Sequence, residues 1–266
     1  MLRGLWTAAS GMAAQQLNVD VISNNLANVN TTAFKKSRSD FQDLMYQTLR
    51  LPGATTAAGT QLPTGVQIGM GTKPMGVHKM FSQGDYNQTS NDLDLAIEGN
   101  GFFKVVSNDE EVYTRAGDFK IDSEGYMCNP AGDRLQPEIT IPQDTVSISV
   151  DSTGKLVAFG PDNTEAATAD LKLYTFPNAA GLYSMGRNLY RPTEASGEAL
   201  EGTPGSEGVG TIAQGYLEMS NVNVVEEMVA MIIAQRAYEA NSKGIQTADQ
   251  MLQMANNIKR WIKDPQ

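Results

Sequence analysis

The chain has 266 residues, of which 41% are hydrophobic and 19% are charged, and its formal net charge is −10. This length suffices for one large domain or two ordinary ones. The acidic balance argues against binding to nucleic acid or to an anionic membrane surface, because phosphate contacts need clustered Lys and Arg. No run of ~18 or more apolar residues occurs, so we predict no direct membrane insertion. The N-terminus lacks a continuous apolar stretch, so we expect no cleaved signal peptide.

The formal charge is unevenly distributed along the chain. Residues 1–36 carry three basic and one acidic residue, and residues 216–266 carry five basic and six acidic residues. Residues 37–215 therefore carry a net charge of −11. Two nearly neutral ends thus flank an acidic middle, which we expect to face solvent.

Hydrophobic residues recur every seven positions near the N-terminus. A companion row follows three residues after each of them, which is the spacing of a coiled-coil seam. The rows are Leu5, Met12, Val19 and Leu26, and Ala8, Gln15, Ile22 and Val29. The sequence therefore predicts an N-terminal helix with one apolar stripe.

The C-terminal segment repeats this spacing. Its main row is Val224, Met231, Tyr238, Ile245 and Leu252, and its companion row is Glu227, Ala234, Asn241, Ala248 and Ala255. Either stripe alone also fits an amphipathic helix packed on its own globular domain. Two matching stripes at opposite ends of one chain favour pairing of the two helices with each other.

Between the helices the apolar pattern changes to period two and to short apolar runs, which predicts strands. The two connections DSEG (122–125) and DSTG (151–154) place Asp-Ser first and Gly last, as a turn with a left-handed Gly requires. We predict a compact, mostly antiparallel β domain. Its strands are expected at 93–99, 101–106, 111–115, 146–150, 155–159 and 171–176.

Two stretches lack this pattern. Residues 45–75 are rich in Thr, Gly and Pro, which favours an extended segment or a long hairpin outside the main core. Residues 191–215 are predicted to be a loop that leads to the last helix. The fold class that follows is α+β, with a helical domain made from both ends, a β domain and an extended insert.

The segment SNNLANVNTTAFKK (23–36) contains four closely spaced asparagines. Asn side chains bond to nearby backbone groups and tolerate the left-handed conformation. We therefore predict that the cluster after Ile22 ends the helix and turns the chain, with Phe34 as an anchor. An Asn along a helical seam can instead fix register and partner choice.

The same segment resembles a signature near the N-terminus of bacterial flagellar rod and hook proteins. The resemblance extends to LDLAIEGNGFFKV (93–105), YTRAGDFKIDSEGYMCNPAGDRLQ (113–136) and SNVNVVEEMVAMIIAQRAYEANSKGIQTADQMLQMANNI (220–258). The opening LRGLWTAASGMAAQQ, the length and the insert at 45–75 are most similar to the distal-rod members. Proximal rod proteins and the hook protein are the alternatives within the family.

The resemblance implies a structural subunit of the basal-body distal rod. Such subunits are exported by the flagellar type III apparatus and form a rigid hollow helical tube across the periplasm, which encloses the export channel and transmits torque for motility. The implied partners are copies of the chain itself, proximal rod proteins, hook protein and ring proteins. The implied domains are an inner-tube helix with its motif, an insert, a β domain and a second inner-tube helix, at residues 1–36, 37–75, 76–215 and 216–266.

The candidate site residues are expected to contact other subunits. Helices bearing an apolar stripe bury it by packing on neighbours, and a repeated head-to-tail interface that does not close produces a filament. The stripe contributes Leu5, Met12, Val19, Leu26, Val224, Met231, Tyr238, Ile245 and Leu252. The motif match contributes Asn24, Asn25, Asn28, Thr31 and Phe34.

Enzymatic interpretations have little support in the sequence. Cys128 and His78 are the only residues of their types, which excludes an internal disulfide and leaves a catalytic triad or a His-rich metal site to a single His. Asp92, Asp94 and Glu98 have the even spacing of the solvated face of a strand. We predict no catalytic residue, no cofactor and no metal site, and the roles of Cys128 and His78 stay open.

A carbohydrate- or peptidoglycan-binding module in the periplasm is the alternative from a different class. An acidic β domain with Tyr86, Tyr113 and Tyr126 offers aromatic platforms for sugar rings. Aromatic residues in strands are more often part of the core. We therefore rank this function second.

Overall fold

The chain combines two long helices with a β region in a computed structural model, which describes residues 2–53, 63–161 and 164–263. The helices are α1, Leu2–Ala27, and α2, Val224–Lys263. All strand pairs with a determined register are antiparallel. The predicted α+β class and the mostly antiparallel β domain are therefore confirmed.

The chain divides into two compact units. The helical unit contains the residues up to Leu26, residues 37–77 and the residues from Val224 onward. The β unit contains residues 27–36 and 78–223. This division places residues 27–36 and 216–223 with the strands, whereas the predicted domains placed them with the helices.

Helix α1 ends within the Asn cluster. Its last residue is Ala27, which lies between Asn25 and Asn28, so the predicted end of the helix in this cluster is confirmed. Asn25 lies in the last turn of α1, and its side-chain amide bonds to the backbone of Ser37. The turn follows at Asn28, whose carbonyl accepts a bond from the Thr31 amide at 3.2 Å.

Four strands lie within residues 37–79, most of which belong to the helical unit. Strand β1 pairs with β4, and β2 pairs with β3 in an antiparallel hairpin that sets Tyr46 opposite Gly69. The middle of the predicted insert, residues 54–62, lies outside the described residues. The strand bounds are β1 Ser37–Asp43, β2 Tyr46–Arg50, β3 Val66–Gly69 and β4 Thr72–Lys79.

The β unit is built on a seven-stranded sheet with the order β16-β17-β8-β7-β11-β10-β9, next to a three-stranded sheet β12-β13-β14. Three further pairs, β15-β18, β19-β6 and β20-β5, complete the unit. A short 3-10 helix spans Ala179–Gly181. The strands are β5 Tyr86–Gln88, β6 Leu95–Glu98, β7 Phe103–Ser107, β8 Glu110–Thr114, β9 Lys120–Ile121, β10 Met127–Cys128, β11 Arg134–Gln136, β12 Ser147–Val150, β13 Lys155–Phe159, β14 Glu165–Asp170, β15 Leu173–Thr175, β16 Tyr183–Gly186, β17 Leu189–Arg191, β18 Leu200–Gly202, β19 Thr211–Gln214 and β20 Tyr216–Glu218.

Both predicted hairpins are confirmed. Strand β9 pairs with β10, and β12 pairs with β13. Gly125 and Gly154 end the two turns with φ of +87° and +82°, in the region that favours glycine. The local turn chemistry therefore determines the register of both hairpins.

Two predictions for the β region were wrong. Residues 191–215 are not a simple loop, because β18 pairs with β15 and β19 pairs with β6. Asp94 does not lie on a solvated face but is buried, and its carboxylate accepts a bond from the Asn91 amide at 2.9 Å. Ala96 is also buried, because structure covers both faces of β6.

The core of the β unit consists of two clusters. The larger contains fully buried aliphatic and aromatic side chains, including Leu156 and the edge-to-face pair Phe103–Phe119 at 5.2 Å between ring centroids. The smaller is aromatic and includes Tyr113 and Tyr190. Each large buried side chain contributes about 1.5–3 kcal/mol to folding, so the β unit has a core of its own.

Candidate assembly surface

Helix α2 carries an exposed apolar face, which we define by Met228, Val229, Ile232 and Ile233. Their spacing by three and four residues places them on one side of the helix. Ile233 is 65% exposed and Ile232 is 57% exposed. Adjacent exposed apolar side chains on a helix are typical of an interaction surface.

The predicted seam lies on another side of the helices. In α1 all four predicted seam residues are half-buried. In α2 Met231, Ile245 and Leu252 are half-buried, whereas Val224 and Tyr238 are exposed. The companion positions Glu227 and Ala234 are buried, Asn241 and Ala248 are half-buried, and Ala255 is exposed, so the first part of the companion row is the more deeply buried one.

The two helices approach each other within the helical unit. A Cβ atom at Gly11 would lie 2.9 Å from Nδ2 of Asn241, so this position of α1 lies directly beside the Asn241 side chain of α2. A cleft of about 370 Å³ is lined by residues of both helices, among them Val19 and Tyr238. The structure therefore brings these two predicted site residues together.

Asn25 is a buried connector inside the helical unit. Its Nδ2 donates to the Ser37 carbonyl at 2.9 Å and to Oε2 of Glu227 at 3.2 Å, and its Oδ1 accepts a bond from the Ser37 amide at 2.9 Å. Only 1% of Asn25 is exposed. The side chain therefore ties α1 to both β1 and α2, whereas the neighbouring Asn24 is exposed.

The rest of the Asn motif lies in the β unit. Thr31 donates through Oγ1 to Oδ1 of Asn28 at 3.2 Å, which closes the turn after α1. Phe34 is buried, and Nζ of Lys79 lies 4.5 Å from its ring centroid. These residues shape and anchor the connection that leads out of α1.

A buried ionic cluster surrounds the Glu218 carboxylate. Its Oε1 accepts bonds from Nζ of Lys35 at 2.5 Å and from the Gly84 amide at 3.1 Å, and its Oε2 accepts from Nε of Arg115 at 2.9 Å. The side chains of Lys35 and Glu218 are fully buried. Burial lowers the pKa of Lys35 from 10.5 to about 8, and the nearby Glu218 charge opposes this shift.

Asn221 joins the same region through its side-chain amide. Its Oδ1 accepts a bond from the Lys36 amide at 2.7 Å, and its Nδ2 donates to the carbonyls of Met80 at 2.9 Å and Ser82 at 3.1 Å. The Asn221 side chain thus connects the residues before α2 with two other chain segments, which are distant from it in sequence.

The hairpin formed by β2 and β3 carries a second exposed apolar surface. Tyr46, Leu49 and Leu51 are more than half exposed, and Met45 is 87% exposed. This surface coincides with the stretch that was predicted to be an insert.

Two sets of residues considered for other functions do not form a site. Tyr113 is buried in the aromatic cluster, Tyr126 is half-buried with the Arg134 guanidinium 4.3 Å from its ring centroid, and Tyr86 is exposed. Glu98 accepts a bond from Thr211, while Asp94 is buried. The three tyrosines therefore form no common platform for a sugar ring.

The seven-residue rows did not identify the apolar face of α2, and no motif pointed to the residues around Glu218. The apolar face was detectable, because the run VVEEMVAMII contains apolar residues on more than one side of a helix. The ionic cluster had no local signal, since Lys35 and Glu218 are 183 positions apart.

The chain thus combines an α+β architecture with two exposed apolar surfaces, one on α2 and one on the β2–β3 hairpin. None of the helices within the described residues is long and apolar enough to cross a membrane. Comparison with known proteins agrees with this class. Three family profiles match successive parts: "Flagella basal body rod protein" at 5–35, "Flagellar hook protein FlgE/F/G D1 domain" at 96–158 and "Flagellar basal body rod FlgEFG protein C-terminal" at 213–258.

Curated relatives match over nearly the whole length. The flagellar basal-body rod protein FlgG of Borreliella burgdorferi is 48% identical over 264 residues, which are 98% of this chain and 100% of that protein. FlgG of Bacillus subtilis is 40% identical over 266 residues, again 98% and 100%. The flagellar hook protein FlgE of Helicobacter pylori is 37% identical over 166 residues, 59% of this chain and 23% of that protein.

The chain belongs to the flagellar rod and hook family, as a structural protein of the basal-body rod. The predicted family and structural function are therefore confirmed. The prediction that the chain is not an enzyme is confirmed as well, because this is a family of structural proteins.

Proposed function

We propose that the chain self-assembles as the distal-rod subunit into a rigid hollow helical tube that encloses the export channel and transmits torque to the hook. The observation that carries the proposal is the apolar face of α2. Its four side chains are more than half exposed in the single chain. Covering them requires a neighbour, and a repeated interface that does not close produces a filament.

The choice of the distal rod over the hook rests on length and coverage. The FlgG relatives match along their full length, whereas the match to the hook protein covers 23% of that protein. A proximal rod subunit remains the alternative within the family.

In the proposed tube the predicted domains 1–36 and 216–266 form the inner layer, with coiled-coil-like pairing of α1 and α2. The close approach of Gly11 to Asn241 supports this pairing. The β domain, 76–215, lies outside, and the extended insert, 37–75, contacts neighbouring subunits through the exposed side chains of the β2–β3 hairpin. Subunits reach this position by type III export without a cleaved signal peptide.

The proposed subunit contacts are the predicted seam residues together with the apolar face of α2. Among the motif residues, Asn24 is exposed and accessible to a neighbour. Asn25 and Phe34 are buried and contribute by holding α1 and its exit in place. Asn28 and Thr31 contribute through the turn between them.

The proposed partners are further copies of this chain, proximal rod proteins on one side and hook protein on the other. Ring proteins would contact the outer surface. The acidic charge of residues 37–215 keeps unassembled subunits soluble until they reach the growing end.

The experiment is a comparison of three full-length proteins, concentrated at neutral pH and imaged by negative-stain electron microscopy. The wild type is expected to form straight tubes. The double variant Ile232→Asp, Ile233→Asp places two charges on the apolar face and is expected to stay monomeric, with helix content unchanged by circular dichroism.

The matched control, Gln246→Asp with Gln250→Asp, adds the same charge at exposed polar positions of the same helix. It is expected to form tubes like the wild type. Normal tubes from the Ile232/Ile233 variant would contradict the proposal, as would a wild type that stays monomeric at every concentration.

A further inference from the structure

The chain passes between the two units at four places, after Leu26, Lys36, Val77 and Asn223. In the β unit, the residues beside three of these boundaries, those at Lys36, Val77 and Asn223, are joined by hydrogen bonds to the side chains of Glu218 and Asn221. Both belong to the segment that precedes α2.

Glu218 joins this segment to the one that follows α1. Its carboxylate accepts from Lys35, and its backbone carbonyl accepts from the Ala33 amide at 2.7 Å. The Gly84 amide bonds to the same carboxylate, which adds the segment after β4. Three remote stretches therefore share one acceptor group.

Asn221 joins the same three stretches through its side-chain amide. It bonds to the Lys36 amide and to the carbonyls of Met80 and Ser82. A backbone hydrogen bond joins two of the same stretches, because the Met80 amide donates to the Lys36 carbonyl at 2.8 Å. Nζ of Lys79 also donates to the Lys35 carbonyl at 3.1 Å.

The charges make this arrangement strongly dependent on Glu218. Lys35 and Arg115 both point their cationic groups at the one carboxylate, and all three side chains are at most 3% exposed. Arg115 is also held by the carbonyls of Gly99 at 2.8 Å and Gly101 at 3.2 Å. Removing the carboxylate charge would leave two buried cations without a counter-charge, which is strongly destabilising.

We propose that Glu218 and Asn221 form a clamp that makes three chain segments, 27–36, 78–86 and 216–223, open and close as one local unit. The rest of the β unit stays folded when the clamp opens. This clamp is a conformational device within the single chain, and it is independent of the proposed assembly.

Hydrogen exchange of the full-length unassembled protein, read by mass spectrometry, tests the clamp. Glu218→Gln keeps the shape of the side chain and removes its charge. We expect exchange in all three segments to accelerate by on the order of 100-fold, whereas residues 147–159 of β12 and β13 keep wild-type rates. The matched control is Glu201→Gln, which removes an exposed carboxylate paired with Lys172 in the same unit and should change no segment.

A second variant covers the case in which Glu218→Gln fails to fold. Asn221→Ala leaves the buried charges paired and removes the amide bonds, and we expect the same three segments to exchange about 10-fold faster together. Acceleration confined to 216–223 would overturn the proposal. So would equal acceleration at 147–159 or wild-type rates in all three segments.

Discussion

The two units of the chain differ in where their apolar side chains lie. In the β unit, residues such as Leu95, Phe103 and Leu156 are completely buried within the same chain. In the helical unit, the buried apolar residues among those the structure describes are the small Ala14 and Ala234, together with Ile22. Much larger side chains, such as Trp6 and Ile233, are exposed.

The two units therefore gain stability from different sources. The β unit is held by a core that forms in the single chain, because close packing of buried side chains supplies most folding free energy. A long helix gains most of its stability from packing its apolar face on other elements. In the proposed assembly, neighbouring subunits supply the burial that the helical unit lacks.

The largest effect is expected from a core substitution in the β unit. Phe103→Ala removes a fully buried ring that packs on Phe119 and should lower the free energy of unfolding by about 3–5 kcal/mol. Ile232→Ala is the matched change in α2 and should alter the same quantity by less than about 0.5 kcal/mol in the unassembled chain. Denaturant unfolding followed by near-UV circular dichroism measures both. Equal effects would abolish the distinction between the units.

A smaller effect concerns pH and the buried Lys35. Its pKa is about 8 in the folded chain and about 10.5 in the unfolded chain, so the unfolded chain holds more protons between these values. Raising the pH from 7 to 9 should therefore increase the free energy of unfolding by about 1 kcal/mol through Lys35.

The comparison with Lys35→Met isolates this contribution. The charged groups that face Lys35 are Glu218 and Arg115, and both are present in the variant and in the wild type. The neighbouring Lys79, whose pKa is also lowered by burial, is present in both proteins as well. The variant should lack the increase that Lys35 provides. Unfolding curves at several pH values test this, and identical pH slopes for the two proteins would contradict it.

The smallest effect is a gain in the helical unit. Gly244 lies within α2, and a Cβ atom there would meet nothing within 4 Å. Gly244→Ala should stabilise the helix by up to about 1 kcal/mol. Gly11→Ala is the control, because its Cβ would crowd Asn241 and offset the gain in propensity. Thermal unfolding monitored by far-UV circular dichroism compares them, and equal stability of Gly244→Ala and the wild type would contradict the expected gain in helix propensity.

Local patterns predicted much of this fold. The seven-residue spacing indicated both helices, and the Asp-Ser-x-Gly connections indicated both hairpins, because these features depend on residues close together in the chain. The Asn cluster indicated the end of α1, whereas the bond from Asn25 to Ser37, twelve positions away, had no local signal. Strand β19 was missed because its partner β6 is more than a hundred residues distant.

The candidate site was predicted in part for the same reason. The seam residues followed from periodicity and from the family resemblance. The Glu218 cluster required knowledge of which distant segments meet, and the exposed face of α2 required knowledge of which side of the helix the rest of the unit covers. Periodicity identifies apolar stripes but does not say which stripe is covered within the chain.

Hydrogen exchange of the wild-type protein, measured before and after assembly at high concentration, tests whether a neighbouring subunit covers the apolar face of α2. Before assembly, residues 225–233 of α2 should exchange much faster than residues 147–159 of the β unit, and after assembly both should be protected. Strong protection of 225–233 in the unassembled chain, unchanged by concentration, would contradict the proposal that a neighbouring subunit covers the apolar face of α2.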